Sequence, residues 1–252
     1  MKFVSEPNLP NCTKSIMLGE KYADIVAKKL SEFDIDIIPV PDNPKVDRRL
    51  SGHVDLSALH VGGNRIILAS YLKGSALGET LSAYGLNIIY AEEEQKAEYP
   101  FDCRLNVCLI GRRTFCGDFL KESAFVNYFT SAGIDRTVYY SRQGYVKCSI
   151  CVVDENSFIT ADKGLFHLGK SCGMNVLLIR PFGIVLDGFD YGFIGGASCK
   201  LSRDILAFTG HLNDHPDKGS ILDFLSLHNI EAVYLSDMPA FDIGSAIPII
   251  EK

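Results

Sequence analysis

The sequence predicts an α/β propeller in which five pseudo-symmetric strand–strand–helix–strand (ββαβ) units form a closed ring. A short β-prone run follows an apolar-faced segment at five places along the chain. A strand–turn–strand pattern stands upstream of four of the five expected helices. A last strand-like segment, residues 246–250, has no helix after it, and it can pair with the first unit.

The five β-prone runs share one local pattern. Each begins with an aliphatic residue or Met, which is followed by Asp, Asn or Glu. The residue before four of them is Gly or Asn, and these readily take the left-handed conformation that ends a helix. A helix, its cap and a strand are therefore expected at each place. The runs are residues 35–40, 86–91, 134–139, 174–179 and 230–235.

Helices are expected where apolar residues recur every three or four positions. Tyr22, Val26, Leu30 and Phe33 form one such stripe, with Ile25 beside it. The expected helices span residues 19–33, 75–84 and 118–132, with an N-cap at Asp118, and two more begin at Asp162 and Ser220. The stripe of the third helix consists of Phe125, Tyr128, Phe129 and Ala132.

Strand pairs precede four of these helices, and the first unit departs from the pattern. The pairs are residues 58–61 with 65–68, 107–110 with 113–115, 149–153 with 157–160, and 192–194 with 205–208. The first unit has a single strand, residues 14–18. Pairing residues 246–250 with it completes a fifth unit, closes the ring and covers the open sheet edges. A linear solenoid would instead need special capping repeats.

Composition and charge favour one globular domain, residues 1–252. Hydrophobic residues make up 47% of the chain and charged residues 22%. A net charge of −6 argues against a nucleic-acid partner. The N-terminus has no signal-peptide pattern, and the most apolar segment, residues 174–184, is too short to span a membrane. Eight cysteines without an export signal predict reduced thiols in a cytoplasmic protein.

Five such units in a ring resemble the pentein fold of the guanidino-group-modifying enzymes, and four segments resemble an uncharacterised bacterial family of that fold. The superfamily contains arginine and agmatine deiminases, dimethylargininases and amidinotransferases, as well as a non-catalytic ribosome anti-association factor. The resemblance covers nearly the whole chain. The segments are Lys147-Cys-Ser-Ile-Cys-Val-Val-Asp154, Gly192-Phe-Ile-Gly-Gly-Ala-Ser198, His215-Pro-Asp217 and Asp242-Ile-Gly-Ser245.

The resemblance implies a cysteine nucleophile, a proton-shuttling histidine and cation-binding carboxylates in a central channel. In the enzymes the nucleophile usually lies in a Gly-rich stretch near the C-terminus. Here that stretch, residues 242–247, has no cysteine. The acidic Gly-Gly segment of the enzymes is most similar to residues 194–197, which lack both acids.

Cys148 is the expected nucleophile, because the neighbouring ammonium of Lys147 could lower its pKa. If Cys148 begins a strand, however, the two side chains face opposite sides, and the lysine must come from elsewhere or act around the strand end. A small buried apolar residue is the alternative reading of Cys148. His215 or His53 is the expected proton shuttle. The expected substrate-binding residues are Asp55, Lys147, Gly195, Gly196, Ser198, Asp242 and Ser245, the two glycines by allowing a close backbone approach.

Two other clusters allow metal binding. Cys148 and Cys151 have the CxxC spacing, although residues three apart on a strand face opposite sides. His211, Asp214, His215 and Asp217 lie within seven residues and could hold zinc or manganese. The alternative is that Asp217 caps the following helix and both histidines lie in solvent. We assign no metal and no cofactor.

Two functions fit these observations. One is a divergent cysteine-dependent hydrolase or amidinotransferase acting on a guanidino or arginine-like small molecule in the central channel. The other is a catalytically inactive pentein that binds a metabolite or a macromolecule. The missing C-terminal cysteine favours the second, and the polar residues expected at the channel favour the first. Neither involves nucleic acid or a membrane, and a homo-oligomer is left open.

Overall fold

The computed structural model describes residues 2–121, 123 and 135–252. Its helices are α1 (Glu20–Glu32), α2 (Ala76–Ala83), α3 (Val146–Ser149), α4 (Lys163–Ser171) and α5 (Lys218–Leu227). Its strands are β1 (Lys2–Phe3), β2 (Thr13–Gly19), β3 (Asp36–Val40), β4 (Ala58–Gly62), β5 (Arg65–Leu68), β6 (Asn87–Tyr90), β7 (Cys108–Ile110), β8 (Arg113–Gly117), β9 (Thr137–Ser141), β10 (Cys151–Asp154), β11 (Ser157–Thr160), β12 (Asn175–Leu178), β13 (Ser198–Lys200), β14 (Ile205–Phe208), β15 (Glu231–Tyr234) and β16 (Ile247–Glu251).

Four sheets repeat one topology. In the sheets β4-β5-β6, β7-β8-β9, β10-β11-β12 and β13-β14-β15, the middle strand is antiparallel to the first and parallel to the third. A parallel pair needs a crossover connection. The helices α2, α4 and α5 occupy that position in three of these sheets. The predicted repeat of strand, strand, helix and strand is confirmed.

The end of the chain completes the remaining sheet. Strand β16 lies between β1 and β2 and is antiparallel to both, whereas β2 and β3 are parallel and joined by α1. The strand near the C-terminus therefore takes the place that the first strand holds in the other four units. The predicted pairing of the chain end with the first unit is confirmed.

Buried apolar clusters join the five sheets into a ring. Four clusters connect the first sheet to the second, the second to the third, the third to the fourth, and the fourth to the fifth. A further cluster returns to the beginning, since Ile16 and Leu18 of β2 pack with Ala207 of β14. Each sheet thus buries one face against each neighbour, as expected for a propeller-like fold.

Helix ends follow the predicted capping. The backbone φ is positive at Asp34 (56°), Gly85 (93°), Gly173 (79°) and Asn229 (56°), directly before or near the third strand of a unit. Asp34 takes this conformation although it is neither Gly nor Asn. The carboxylate of Asp162 accepts a hydrogen bond from the backbone amide of Leu165 in the first turn of α4, which confirms Asp162 as the cap of this helix.

Two predicted elements differ from the structure, and a third is described only at its beginning. Residues 192–194 form no strand, because the chain turns at residues 194–197, where Gly195 and Gly196 lie, and the fifth sheet begins with β13. The predicted strand 149–153 begins only at Cys151, since residues 146–149 form α3. Asp118 begins a single 3-10 turn, Asp118–Leu120, and the stripe from Phe125 to Ala132 lies outside the described residues.

The connections between units meet above a small apolar cluster. Its buried part consists of Val46, Leu50, Leu56 and Cys103, and the residues that pack against it are Phe119, Tyr145 and Leu186. These residues come from loops of the first, second, third and fourth units, so the cluster fixes the loops relative to one another. Among the residues that the structure describes, no helix combines the length and the apolar character needed to cross a membrane.

Candidate active site

A cavity of about 260 Å³ lies where these loops meet. His53, Cys148 and Asp242 line it, and all three are almost completely buried. One ligand-type atom from each residue, a ring nitrogen, the sulfur and a carboxylate oxygen, lies within 4.8 Å of the other two. The structure thus brings together three of the residues expected from the sequence, although they are far apart along the chain.

Cys148 lies in the short helix α3 and not at the beginning of a strand, so the strand-based expectation is wrong. The side chain of Asn106 holds this turn, because its Oδ1 accepts the backbone amides of Lys147 (2.7 Å) and Cys148 (3.2 Å). Its Nδ2 donates to the sulfur of Cys148 at 3.2 Å. Lys147 does not bind that sulfur, since its ammonium donates to Ser245 at 3.1 Å.

Asp242 is held by the backbone of its surroundings. Its Oδ2 accepts the amide of Phe193 (2.8 Å), and its Oδ1 accepts the amide of Gly244 (2.9 Å). The Nδ1 of His53 lies 4.0 Å from Oδ1. Both carboxylate oxygens have further lone pairs, because an ionised carboxylate offers about four acceptor positions. Asp242 can therefore bind a cation that enters the cavity.

His53 is a buried histidine with an unpaired ring nitrogen. Its Nε2 has no hydrogen-bond partner within the part of the chain that the structure describes. Burial lowers the pKa of His53, and the negative charge of Asp242 opposes part of this shift. The imidazole is accordingly neutral at neutral pH and can accept a proton from a bound molecule.

Gly195 and Gly196 permit the close approach that the sequence predicts for them. A Cβ on Gly196 would lie 1.9 Å from Oδ1 of Asp242, and one on Gly195 would lie 2.5 Å from the carbonyl oxygen of Lys147. The amide of Gly196 donates to the carbonyl of Cys148 (2.8 Å). Its own carbonyl accepts the amide of Ser245 (3.0 Å). This turn links the helix of Cys148 to the loop of Asp242.

Asp55 contacts Cys148 but does not line the cavity. Its Oδ2 accepts hydrogen bonds from the sulfur of Cys148 (2.9 Å) and from the hydroxyl of Ser245 (2.9 Å). Burial, the largest cause, raises the pKa of Asp55 to about 7. Burial and the charges of Asp55 and Asp242 also raise the pKa of Cys148 well above its ordinary value. Asp55, Lys147 and Ser245 thus form a sealed polar cluster beside the sulfur.

Ser198 and His215 lie apart from the cavity. Ser198 is buried in β13, where it pairs with Phe208. The Nδ1 of His215 accepts the backbone amide of Asp217 at 3.0 Å. His215 is buried, and only His211 is partly open to solvent, so the expectation of two solvated histidines is wrong for His215.

Asp217 occupies the predicted N-cap position of α5, but its side chain makes no capping hydrogen bond to the described residues of the helix. Its carboxylate instead binds the guanidinium of Arg180, with contacts of 2.7 and 3.0 Å. Among the described residues, the trio of His53, Cys148 and Asp242 is the single group of three or more potential metal ligands whose atoms converge, so residues 211–217 form no such group.

The trio of His53, Cys148 and Asp242 carries residue types that zinc accepts. A zinc-bound cysteine is a thiolate. Here the sulfur of Cys148 lies 2.9 Å from Oδ2 of Asp55, a hydrogen-bond distance at which one of the two atoms carries a proton.

Local sequence patterns did not predict the aromatic wall of the cavity. Tyr145, Phe189, Tyr191 and Phe193 line it, together with Asp190 at an exposed position. The ring centroids of Tyr145 and Phe193 are 6.3 Å apart, and those of Tyr191 and Phe193 are 6.2 Å apart. Flat cations bind well against such surfaces. Asn106 was also missed, and both omissions concern irregular segments without periodic patterning.

Solved structures with the same fold are enzymes of the guanidino-modifying kind. An amidinotransferase of the saxitoxin pathway from Microseira wollei matches with a TM-score of 0.64 and 10% identity, over 99% of this chain and 98% of that chain. The inosamine-phosphate amidinotransferase of Streptomyces griseus matches with a TM-score of 0.61 and 11% identity, over 100% of this chain and 98% of that chain. A DDAH from Pseudomonas aeruginosa complexed with citrulline matches with a TM-score of 0.60 and 11% identity, over 89% of this chain and 92% of that chain.

No curated protein matches the chain. The model of one family matches residues 17–247, which is most of the sequence. The structural matches establish the fold, and at this level of identity they establish nothing further. The chain has the pentein fold and belongs to DUF6873, a family of unknown function.

Proposed function

We propose that this protein is a cysteine-dependent hydrolase or amidinotransferase that acts on the guanidino carbon of a small cationic molecule. The observation that carries the proposal is the convergence of Cys148, His53 and Asp242 within 4.8 Å at one cavity. These three side chains supply a nucleophile, a proton shuttle and a cation-binding carboxylate, which are the groups that the reaction needs.

Asp242 would hold the planar cation. A guanidinium pairs with a carboxylate through two parallel hydrogen bonds, and the backbone amides of Phe193 and Gly244 keep this carboxylate in place. Tyr145 and Phe193 provide aromatic surface for the flat face of the cation. This position brings the guanidino carbon next to the sulfur of Cys148.

The charges around the cavity favour a substrate without a carboxylate near its guanidino group. The charged side chains that line it are Asp190 and Asp242, and no lysine or arginine is among the described lining residues. Arg49 stacks on the ring of Phe189 at 4.2 Å, but its hydrogen bonds go to Asp47 and to a backbone carbonyl. An amine or a neutral group on the substrate would suit Asp190 better than an anion would.

The reaction would proceed through a covalent intermediate. The sulfur of Cys148 adds to the guanidino carbon, and His53 passes one proton from an amino group of the adduct to the leaving nitrogen. The carbon–nitrogen bond then breaks and leaves an amidino group on the sulfur. Water or an amine attacks this group with His53 as the base. Water yields a ureido product, and an amine yields a new guanidine.

A second candidate function is cation binding without turnover. The pKa of Cys148 is raised well above its ordinary value by burial and two carboxylates, so the unliganded protein holds a thiol and not a reactive thiolate. The cavity would then bind the same class of cation through Asp242. This candidate predicts that guanidines bind in the cavity, whereas Cys148 reacts slowly with alkylating reagents.

A pair of matched reagents tests both candidates. Chloroacetamidine carries a cationic amidine, and chloroacetamide is its neutral counterpart. We expect chloroacetamidine to modify Cys148 at least tenfold faster, as located by mass spectrometry, and we expect the buried Cys151, three residues away, to stay unmodified. Equal rates for the two reagents would contradict cation binding at Asp242. Release of a ureido or transferred product from labelled guanidines then separates the enzyme from the binding protein.

A further inference from the structure

We propose that Asp55 is the base that takes the proton of Cys148, from a position outside the substrate cavity. His53 then remains free to serve the leaving group and the attacking molecule. The inference rests on the proposed function, because Cys148 needs a base only if its sulfur is a nucleophile.

The hydrogen bonds of Asn106 fix the direction of the thiol proton. Its Oδ1 is occupied by the backbone amides of Lys147 and Cys148, so the group that faces the sulfur is Nδ2, a donor. The sulfur therefore accepts from Asn106 and directs its single proton to Oδ2 of Asp55, at 2.9 Å. After the proton moves, the same Asn106 donor stabilises the thiolate.

The other side of Asp55 is ordered in the same sense. The ammonium of Lys147 has only donors, so the hydroxyl of Ser245 accepts from it at 3.1 Å. The Ser245 proton can then point to Oδ2 of Asp55 at 2.9 Å, with the carbonyl of Gly195 (3.1 Å) as the alternative acceptor. Donors thus run from Lys147 through Ser245 to Asp55, and from Asn106 through Cys148 to Asp55.

Burial makes the charged form of Asp55 costly. Its Oδ1 is buried and has no hydrogen-bond partner among the described residues. A buried carboxylate with an unpaired oxygen is costly in its charged form, and a proton relieves this cost.

The proton step balances. The S–H bond of Cys148 breaks, an O–H bond forms at Oδ2 of Asp55, and the sulfur electron pair forms the bond to the guanidino carbon. The positive charge of the substrate is neutralised in the adduct as the negative charge of Asp55 is neutralised by the proton. When the carbon–sulfur bond later breaks, its electron pair returns to the sulfur, and Asp55 returns the proton.

Several charged or titratable groups face the Cys148–Asp55 pair. Lys147 favours the carboxylate form of Asp55, whereas Asp242 disfavours it. Cys103 and Cys108 sense the charge of Asp55, and Tyr145 senses that of Cys148. His53 adjoins the sulfur from the cavity side. Of these groups, His53 is the competing base, and the test has to separate it from Asp55.

The test is the rate of Cys148 modification by chloroacetamide between pH 5 and 10, measured on the full chain by mass spectrometry with a chelator present. Two strongly interacting acids, here Cys148 and Asp55, lose their two protons in two separate steps, and the pair holds one shared proton between these steps. We expect the wild-type rate to rise near neutral pH, to level off, and to rise again at alkaline pH. Asp55→Asn should lose the lower step and keep a single alkaline rise.

Two further variants identify the group behind the lower step. His53→Gln keeps the thiol and Asp55, so the lower step should persist. Ser245→Ala removes a hydrogen bond that lowers the pKa of Asp55, so the lower step should move to higher pH. Loss of the lower step in His53→Gln, or its persistence in Asp55→Asn, overturns the proposal.

The wild-type profile remains decisive if Asp55→Asn does not fold. A single rise in the wild-type protein excludes a shared proton, whereas two steps that respond to Ser245→Ala support one. Because the measurement needs no guanidine, the two proposals can fail separately. A two-step pH profile without any guanidine turnover contradicts the proposed reaction. Guanidine turnover with a single-step pH profile contradicts the role of Asp55.

Discussion

The two sides of the Cys148 sulfur present the same chemical group in opposite settings. Asp242 faces the cavity and is held by two backbone amides, so its remaining lone pairs can receive a ligand. Asp55 is sealed among side chains, and its hydrogen bonds go to Cys148 and Ser245. Access and donor type therefore decide what each carboxylate can do. One suits a cation that arrives from outside, and the other suits a proton that stays inside.

The largest expected effect concerns the group that both carboxylates share. Cys148→Ser should abolish modification by chloroacetamidine, and it should lower any guanidine turnover by about a thousandfold or more, because the nucleophile is lost. Cys151→Ala is the matched control, since Cys151 is also a buried thiol but packs in the core between the fourth and fifth sheets. Turnover that survives in Cys148→Ser would remove the reason for comparing its two sides.

The sealed side should reveal itself in the pH dependence of stability. The pKa of Asp55 is about 7 in the fold and 3.8 as the ordinary value. Native Asp55 thus keeps a proton that the unfolded chain has lost between these pH values, and the fold loses stability as pH rises through this window. Asp55→Asn lacks this loss, so its unfolding free energy relative to wild type should rise by up to about 4 kcal/mol from pH 4 to pH 7.

Urea unfolding of both proteins at several pH values measures this difference. Burial lowers the pKa of His60 to about 4, so His60 makes the unfolding free energy fall as pH falls, which is opposite to the effect of Asp55. The contribution of His60 cancels when the two proteins are compared at the same pH. A difference that stays constant from pH 4 to pH 7 would place Asp55 in a far more polar setting than its contacts indicate.

The open side should show itself in ligand binding. Guanidines bound in the cavity should protect Cys148 from alkylation by chloroacetamide. Asp242→Asn should weaken this protection by about 10- to 100-fold, since a hydrogen bond to a charged group is worth about 1.5–3 kcal/mol. Asp55→Asn should change this protection constant far less, because Asp55 does not line the cavity. The comparison breaks if both substitutions weaken protection equally.

The turn that joins the two sides tolerates no extra atom. Gly196→Ala would place a Cβ 1.9 Å from Asp242, so we expect a loss of about 1–3 kcal/mol in unfolding free energy, together with weaker guanidine protection. Gly219→Ala is the matched control, because it lies in α5 with open space around it. There alanine should stabilise the helix by about 0.5–1 kcal/mol. A neutral effect of Gly196→Ala would mean that the Asp242 loop can shift freely.

The smallest effect should come from a carboxylate in a surface ion pair. Asp217 binds the exposed Arg180, and its side chain makes no capping hydrogen bond to the described residues of α5, so Asp217→Ala should cost about 1 kcal/mol or less. Salt should reduce this cost further. Thermal unfolding at low and high salt checks it, and a loss above about 2 kcal/mol would restore Asp217 as a helix cap.

The ring could be predicted because its signals are local and repeated. The positive-φ residues Gly85, Gly173 and Asn229 end each segment where a helix must stop, and a strand follows each of them. The unpaired strand at the chain end had one obvious partner. The strand proposed at residues 192–194 failed because its Gly-rich surroundings allow a turn equally well.

The candidate site could be predicted only in part. Cys148, His53 and Asp242 were expected together and do meet, whereas Asp55 lies beside the sulfur and outside the cavity. The four-residue helix α3 is too short to leave a periodic pattern, yet it decides which way Lys147 points. Such orientations depend on contacts between distant loops, which local patterns do not encode.

Strand β16 has a consequence for synthesis on the ribosome. Its pairing with β1 and β2 joins the two ends of the ring, and the Asp242 and Ser245 loop directly precedes it. A nascent chain can therefore build the earlier sheets but must leave β2 with an uncovered edge until residue 251 has emerged. During that interval the exposed edge invites pairing with other chains, so the growing polypeptide should depend on chaperones more than the released protein does.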